Sequence, residues 1–387
     1  MKKNTLKQTC ASYKTLVMGA VALLLSSCGG TNMSTEKNVL IPVNAGDTYV
    51  YVNNRGEIME PEVNVTETSA FYGNYAVAGK EKKGFIDKSG KLVIPMQYAE
   101  ATIFSDGLAF VRETRNSTVT AIDTKGKEVF RLQDSNNARR FSEGMAAFLD
   151  NKKNRWGFVD KTGKVVIEPQ YEEAGDFSCG LAAVGSRDAY GFIDAKGKLT
   201  IETQFSSRGF GVNDIEKVRF TDEGFCVVGI GVGRNTLQGV INKKGDFIIQ
   251  PMECSYIEAD KGGFIVNTEH SGGTEAMYFD VNGNISIVGF EYLFPFNGGK
   301  YTVAMPSIED EFVIIDRKGK TVAEISFSPV FFISSFMDGM AVAQNSGHVV
   351  DGQSIINEKG KKIVDVDRVY VADDYGTYSE QNYFKLR

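Results

Sequence analysis

The chain has 387 residues, 42% hydrophobic and 24% charged, with 43 Lys and Arg against 49 Asp and Glu for a formal net charge of −6. That acid excess disfavours nucleic acid, whose phosphates need a basic stripe, and it disfavours adsorption to anionic lipid. Five cysteines in a chain this long do not make a disulfide scaffold, so the fold needs a hydrophobic core of its own.

The first element is an address. Lys2, Lys3, Lys7 and Lys14 give a positive stretch ahead of an apolar run from Leu16 to Leu25. Ten residues of helix rise about 15 Å, half of a bilayer core, so the run fits a secretory signal and not a membrane span. Next comes Leu25-Ser26-Ser27-Cys28-Gly29-Gly30, which resembles a bacterial lipobox: a branched apolar residue, two small residues, then cysteine. The resemblance implies cleavage before Cys28 and acylation of that residue with palmitate-like chains. Residues 1–27 are then a lipoprotein signal peptide and Cys28 the lipid attachment site, and several chains on one residue hold a protein to a bilayer almost permanently. The small, polar residues 28–40 read as a flexible tether. Removing 1–27 takes four lysines and no acids, so 39 Lys and Arg face 49 Asp and Glu. The expected address is the cell envelope, lipid-anchored in the outer membrane, at its periplasmic face or the cell surface.

Residues 41–387 read as a single array of about nine units. An apolar run ends in Asp/Asn-x-x-Gly and a second run follows, with turn glycines Gly56, Gly90, Gly126, Gly163, Gly197, Gly245, Gly283, Gly319 and Gly360. A fixed period of this kind marks a repeat architecture. The leading acid or amide bonds to backbone two residues on, and the glycine takes the positive φ that the turn needs. The flanking runs, such as Phe158-Val159 and Val165-Val166-Ile167, are aromatic and β-branched, as strands prefer. Pro95 and Pro169 are expected to end the second strand, because proline cannot donate into a ladder. A third strand follows Phe-x-x-Gly, as in Phe141-Ser142-Glu143-Gly144-Met145-Ala146-Ala147-Phe148, where the alanines suit close approach between units. Successive glycines lie 34, 36, 37, 34, 48, 38, 36 and 41 residues apart, which places an insertion at 206–217.

The units Gly84-Phe85-Ile86-Asp87, Trp156-Gly157-Phe158-Val159-Asp160 and Tyr190-Gly191-Phe192-Ile193-Asp194, each leading into its turn, resemble the WG (or KWG) repeats of bacterial proteins. With the lipobox, the chain resembles a WG repeat-containing lipoprotein. The Trp-Gly pair itself occurs once, at Trp156-Gly157. The fold expected is all-β: tandem hairpins or short sheets in a propeller-like array, with an open β-solenoid as the alternative. A ring would be served by pairing between the degenerate first unit, 48–52, and the strand-like 382–386.

Little in the chain points to chemistry. His270 and His348 read as loop residues with no partner at metal-ligand spacing. The glycines of 229–233 precede no helix, which argues against a phosphate loop and for a strand connection. Asp280-Val281-Asn282-Gly283 shares the register of the other turns; its glycine falls too early for a calcium loop, and Glu291, although bidentate-capable, is carried on Phe290-Glu291-Tyr292. Carboxylate pairs such as Glu172-Glu173, Asp373-Asp374 and Glu309-Asp310-Glu311 read as solvated rims. Cys179, Cys226 and Cys254 read as buried free thiols. No catalytic residue, cofactor or metal is expected, and the chain is not read as an enzyme.

The function expected is a non-catalytic binding scaffold for protein, with specificity in loops such as 206–217 and 230–237. Glycan binding through Tyr292, Tyr301, Tyr370, Tyr375, Tyr378 and Tyr383 is an alternative, and a hydrolase with an acidic cleft a weaker one. No nucleic-acid partner is expected.

Overall fold

The computed structural model describes residues 40–44, 48–186, 188–206, 215, 218–231, 237–270, 273–307, 310–325, 330–336, 338–345, 350–372 and 378–383. The lipobox and most of the tether lie outside them, as do His348, Tyr375 and nearly all of the insertion. The fold is all-β, made of blades of the propeller type. Nine small antiparallel sheets occur among the described residues, each drawn from one contiguous stretch of chain, and none pairs a strand with a strand of another stretch. Rungs of a solenoid pair with one another, so the solenoid alternative does not hold.

Two compact units divide the chain: residues 59–259, and residues 1–58 with 260–387. Within 59–259 a typical sheet runs Asn137–Ala138, Met145–Asp150, Arg155–Asp160 and Val165–Tyr171 in chain order. Its middle strands are buried on both faces, and alternate residues serve different neighbours. Ala146, Phe148 and Val159 pack with Phe110, Ala121 and Phe141, whereas Ala147, Trp156 and Phe158 pack with Phe177, Ala182 and Val184. Each fully buried phenylalanine contributes about 1.5–3 kcal/mol. The strand period of two therefore builds a core between each pair of successive sheets within this unit, and the alanines let those sheets approach.

The nine turn glycines have φ between +70° and +87°. In the turn at 160–164, Asp160 Oδ1 accepts hydrogen bonds from the backbone N–H of Thr162 at 2.8 Å and of Lys164 at 3.1 Å, and Gly163 N–H donates to Asp160 O at 3.0 Å. Positive φ is one reason for glycine. The other is crowding from the chain that precedes the turn: a Cβ at Gly163 would lie 2.7 Å from the Phe130 ring of the preceding sheet, and at Gly90 2.7 Å from Glu60 O. At Gly126 and Gly197 the same atom would meet Ile94 and Ile167 at an ordinary 3.4 Å.

The glycine of Trp-Gly has a different cause. Trp156 pairs with Tyr171 and Phe158 with Ile167, so Glu168, Pro169 and Gln170 bulge opposite Gly157. A Cβ on Gly157 would lie 2.6 Å from Ile167 O and 2.7 Å from Pro169 N. Gly84 and Gly191 would each meet a carbonyl at 2.5 Å in the same place. This corrects the expectation for proline: the strands Leu92–Tyr98 and Val165–Tyr171 continue past Pro95 and Pro169. A bulge asks for no N–H at that position, so proline is tolerated inside the strand.

Pairing between chain ends is corrected too. Tyr378–Tyr383 joins its own neighbours in a five-stranded sheet, and Ile41–Asn44 pairs with Tyr49–Val52. The contact between these sheets is side-chain packing, of Ile41, Val43, Val50 and Val52 with Met340 and Ile355.

Candidate functional site

The Phe-x-x-Gly segments form the site. In Phe141-Ser142-Glu143-Gly144 the two central residues both take positive φ, +52° at Glu143 and +80° at Gly144, and Ser142 bridges to Met145. This is a two-residue hairpin of the primed kind, whose twist matches its strands. The segments at 104–107 and 177–180 repeat it, with Asp106 and Cys179 each at φ +52°.

Each such turn holds the next one. Asp106 Oδ2 accepts from Gly144 N–H at 2.7 Å, and Glu143 Oε2 accepts from Gly180 N–H at 2.8 Å. Ser142 Oγ donates to Phe177 O at 2.7 Å, and Ser178 Oγ accepts from Phe220 N–H at 2.8 Å. The residues just before those phenylalanines are thereby brought side by side. They are Arg140, Asp176 and Arg219.

Arg140 Nε donates to Asp176 Oδ2 at 3.0 Å, with side chains 15% and 11% exposed, a pair partly withdrawn from solvent screening. The Arg140 guanidinium also lies 5.8 Å over the ring of Tyr72, from a sheet two before its own. Asp176 Oδ1 is buried without a hydrogen-bond partner. Arg219 is half-buried. Burial first, and the like charge of Arg140 next, pull its guanidinium below the usual value, while Asp176, Tyr72 and Asp222 act the other way. Among the described residues Arg219 makes no hydrogen bond and no ion pair through its side chain. Four repeats thus converge on two guanidiniums, one shared carboxylate and a tyrosine. With Asp222 the arrangement is a charge-balanced cluster of two guanidiniums and two carboxylates, and among the described residues it contains no nucleophile paired with a base.

The other unit has a buried polar centre of its own. Asp260, 6% exposed, accepts from Tyr278 OH at 2.8 Å and from the backbone N–H of Lys261, Phe296 and Asn297 at 2.7, 3.0 and 2.7 Å. Burial raises its pKa more than these bonds and Arg317 lower it. The Arg317 guanidinium stacks 4.7 Å over Phe296 and donates to Gly299 O at 2.8 Å. This centre is closed in on itself and reads as structural.

The residues singled out in the sequence are placed as follows. Cys28 lies outside the described residues. Gly90, Gly126, Gly163, Gly197 and Gly319 are all in their turns. Tyr292 and Tyr301, named as surface contacts in the glycan-binding alternative, are half-buried against the core around Val303 and Phe312. Tyr370, Tyr378 and Tyr383 fall in strands. His270, expected in a loop, ends the strand Gly263–His270 and pairs with Gly273. Cys179, Cys226 and Cys254 are free thiols; Cys226 is buried, the other two half-buried. Burial pushes Cys254 up to about 11 and Cys226 higher. Among the described residues no three His, Cys, Asp or Glu side chains could hold a metal ion, and no helix is long and apolar enough to cross a membrane.

Sequence reasoning missed Arg140, Asp176 and Arg219. The signal was there in the repeat register. The residue before the repeat phenylalanine is Ala70, Ile103, Pro295 or Ser335 in four units, and charged in the three consecutive ones between.

The sequence model of the WG containing repeat matches residues 84–114, 120–153, 156–185 and 239–267. No curated protein matches the chain. Solved structures similar to it include Kluyveromyces lactis Hsv2, at 9% identity and TM-score 0.33 over 72% of this chain and 94% of that one. The Dos1 propeller is similar at 10% and 0.35, over 67% and 79%. Virginiamycin B lyase from Staphylococcus aureus, in a catalytically inactive form with quinupristin, is similar at 16% and 0.35, over 73% and 96%. Likeness of this degree carries no argument.

Proposed function

We infer that this WG repeat-containing protein is a non-catalytic binding scaffold, held at a membrane by lipid on Cys28, and that what it binds is protein. A repeat β-propeller fold fits such a scaffold. The observation that carries the reading is the chain of turn-to-turn hydrogen bonds from Asp106 through Glu143 to Gly180, continued by Ser178 to Phe220. It fixes side chains from several repeats in one place before any partner arrives, and pre-organisation of this kind lowers the entropy lost on binding. The lipobox supports the anchor, and the acid excess of the rest of the chain gives the membrane no electrostatic role in holding it.

Affinity capture tests the reading, with the full lipidated chain as bait in its own envelope and the Cys28→Ala form as comparison. A protein recovered in stoichiometric amount with the acylated form supports it. Recovery of glycan alone, or a Cys28→Ala chain that still carries a palmitate analogue, contradicts it.

A further inference from the structure

We propose that the outer strand Ile285–Phe290 takes up an extended segment of the protein partner as one further strand, a reading that rests on the scaffold function inferred above. A lysine or arginine of that segment sits in the cavity at the strand's end. An edge strand presents a row of unpaired backbone groups, and proteins guard such edges with charges and proline. Among the described residues, every other outer strand of more than two residues carries proline, a charged side chain or both. Ile285–Phe290 reads Ile-Ser-Ile-Val-Gly-Phe and carries neither. Ile167 pairs with Phe158 and Ile287 with Tyr278, so Val288 and Gly289 stand where the earlier sheet has Glu168 and Pro169. Ile285 and Val288 are 54% and 56% exposed, more than any other large hydrophobic residue described.

The cavity defines the guest's charge. It measures about 420 Å³, and its walls include Thr274, Glu275, Phe290, Glu291 and Ser307, with two carboxylates and no basic side chain. Glu291 is held in place there. The Thr274 hydroxyl donates to its carboxylate at 3.4 Å, and a Cβ on Gly273 would stand 3.6 Å from Glu291 Oε1. A Cβ on Gly289 would meet nothing within 4 Å, so the space beside the edge strand is open. A cationic side chain complements the two acids, and a pocket beside an added strand is how such docking gains specificity. The strands Gly263–His270, Gly273–Asp280 and Ile285–Phe290 pair antiparallel in turn. A guest that continues the pattern brings its first residue to Phe290 and the cavity. Its β-branched residues then cover Ile285 and Val288, as cross-strand neighbours do.

The test uses the full chain in detergent micelles and a fluorescein-labelled hexapeptide, lysine followed by alternating threonine and valine, read by anisotropy. Saturable binding is expected. A peptide led by glutamate binds about tenfold more weakly, and Glu275→Gln with Glu291→Gln removes that preference. Methylation of alternate peptide amides, which blocks the ladder bonds, abolishes binding. Ile285→Lys with Val288→Lys, both at exposed positions, weakens it about tenfold. Should that variant not fold, Val288→Lys alone carries the comparison. No saturable binding, equal binding of the methylated or glutamate-led peptide, or equal binding to the lysine variant would overturn the proposal. A dimer of the chain that the lysine variant dissolves, in place of peptide binding, overturns it too. The partner arm is separate. A captured protein that the lysine-led peptide displaces ties the edge to the partner, and one that it fails to displace overturns the proposal while the scaffold reading stands. Peptide binding without any captured partner leaves the edge site standing and removes the scaffold reading instead.

Discussion

The Cβ that Gly163 lacks would stand 2.7 Å from the ring of Phe130, a residue on the outermost strand of the preceding sheet. One glycine thus answers two demands at once, a left-handed turn within its own sheet and a close seat on its neighbour. The same atom at Gly126 would stand 3.4 Å from Ile94, which is ordinary contact. Both glycines have positive φ, +85° and +78°.

These two positions separate strain from crowding. Gly126→Ala is expected to destabilise by about 1 kcal/mol, from the left-handed backbone alone. Gly163→Ala adds overpacking, for a loss of about 2–4 kcal/mol. Urea or thermal unfolding of the two variants measures the gap, and equal losses would mean that Phe130 does not crowd the turn.

Gly157→Ala tests the bulge. Its backbone is unstrained, so a loss of stability must come from the Ile167 carbonyl and Pro169 nitrogen that face it. A loss of about 1–3 kcal/mol is expected. A variant as stable as the parent would show that the bulged strand does not lie over the glycine.

Both tight spots were legible in part. Asp-x-x-Gly announced its turn, because the side-chain bonds that fix it are local and follow from four residues. Trp-Gly announced only a family, since the backbone that excludes a Cβ at Gly157 comes from Pro169, across a register shift that periodicity does not reveal. Proline misled for the same reason. Arg140, Asp176 and Arg219 show in the sequence only as charges before the repeat phenylalanines; their meeting depends on Ser142 and Ser178 reaching one repeat onward. Tyr292 and Tyr301 look alike in sequence whether they face solvent or a core.

Asp260 gives a pH dependence of definite sign. Burial raises its pKa above the usual 3.8, so the folded chain holds that proton more tightly than the unfolded one. Its contribution to stability is greatest below 3.8 and is lost as pH rises through the folded value. The stability deficit of Asp260→Asn relative to wild type should therefore shrink between pH 3 and pH 7. The exposed turn aspartates, such as Asp160, held low first by the Thr162 hydroxyl, act in the opposite sense and are common to both proteins. Urea midpoints across that range decide it; a deficit that is constant or widens with pH would reverse the assignment.

The Cys226 thiol is fully enclosed and pushed up by burial, with Arg219 only partly opposing. Iodoacetamide at pH 8 should leave Cys226 unlabelled in the native protein and label it fully in guanidinium chloride, as read by peptide mass mapping. Native labelling at the denatured rate would place that thiol at the surface.

A double-mutant cycle on Gly163→Ala and Phe130→Ala most directly tests whether successive sheets are seated on one another through their turn glycines. If the added methyl is destabilising because it meets the Phe130 ring, removing the ring relieves part of that loss, and a coupling of about 0.5–3 kcal/mol appears. Strictly additive losses would show that the turn and the neighbouring strand do not touch.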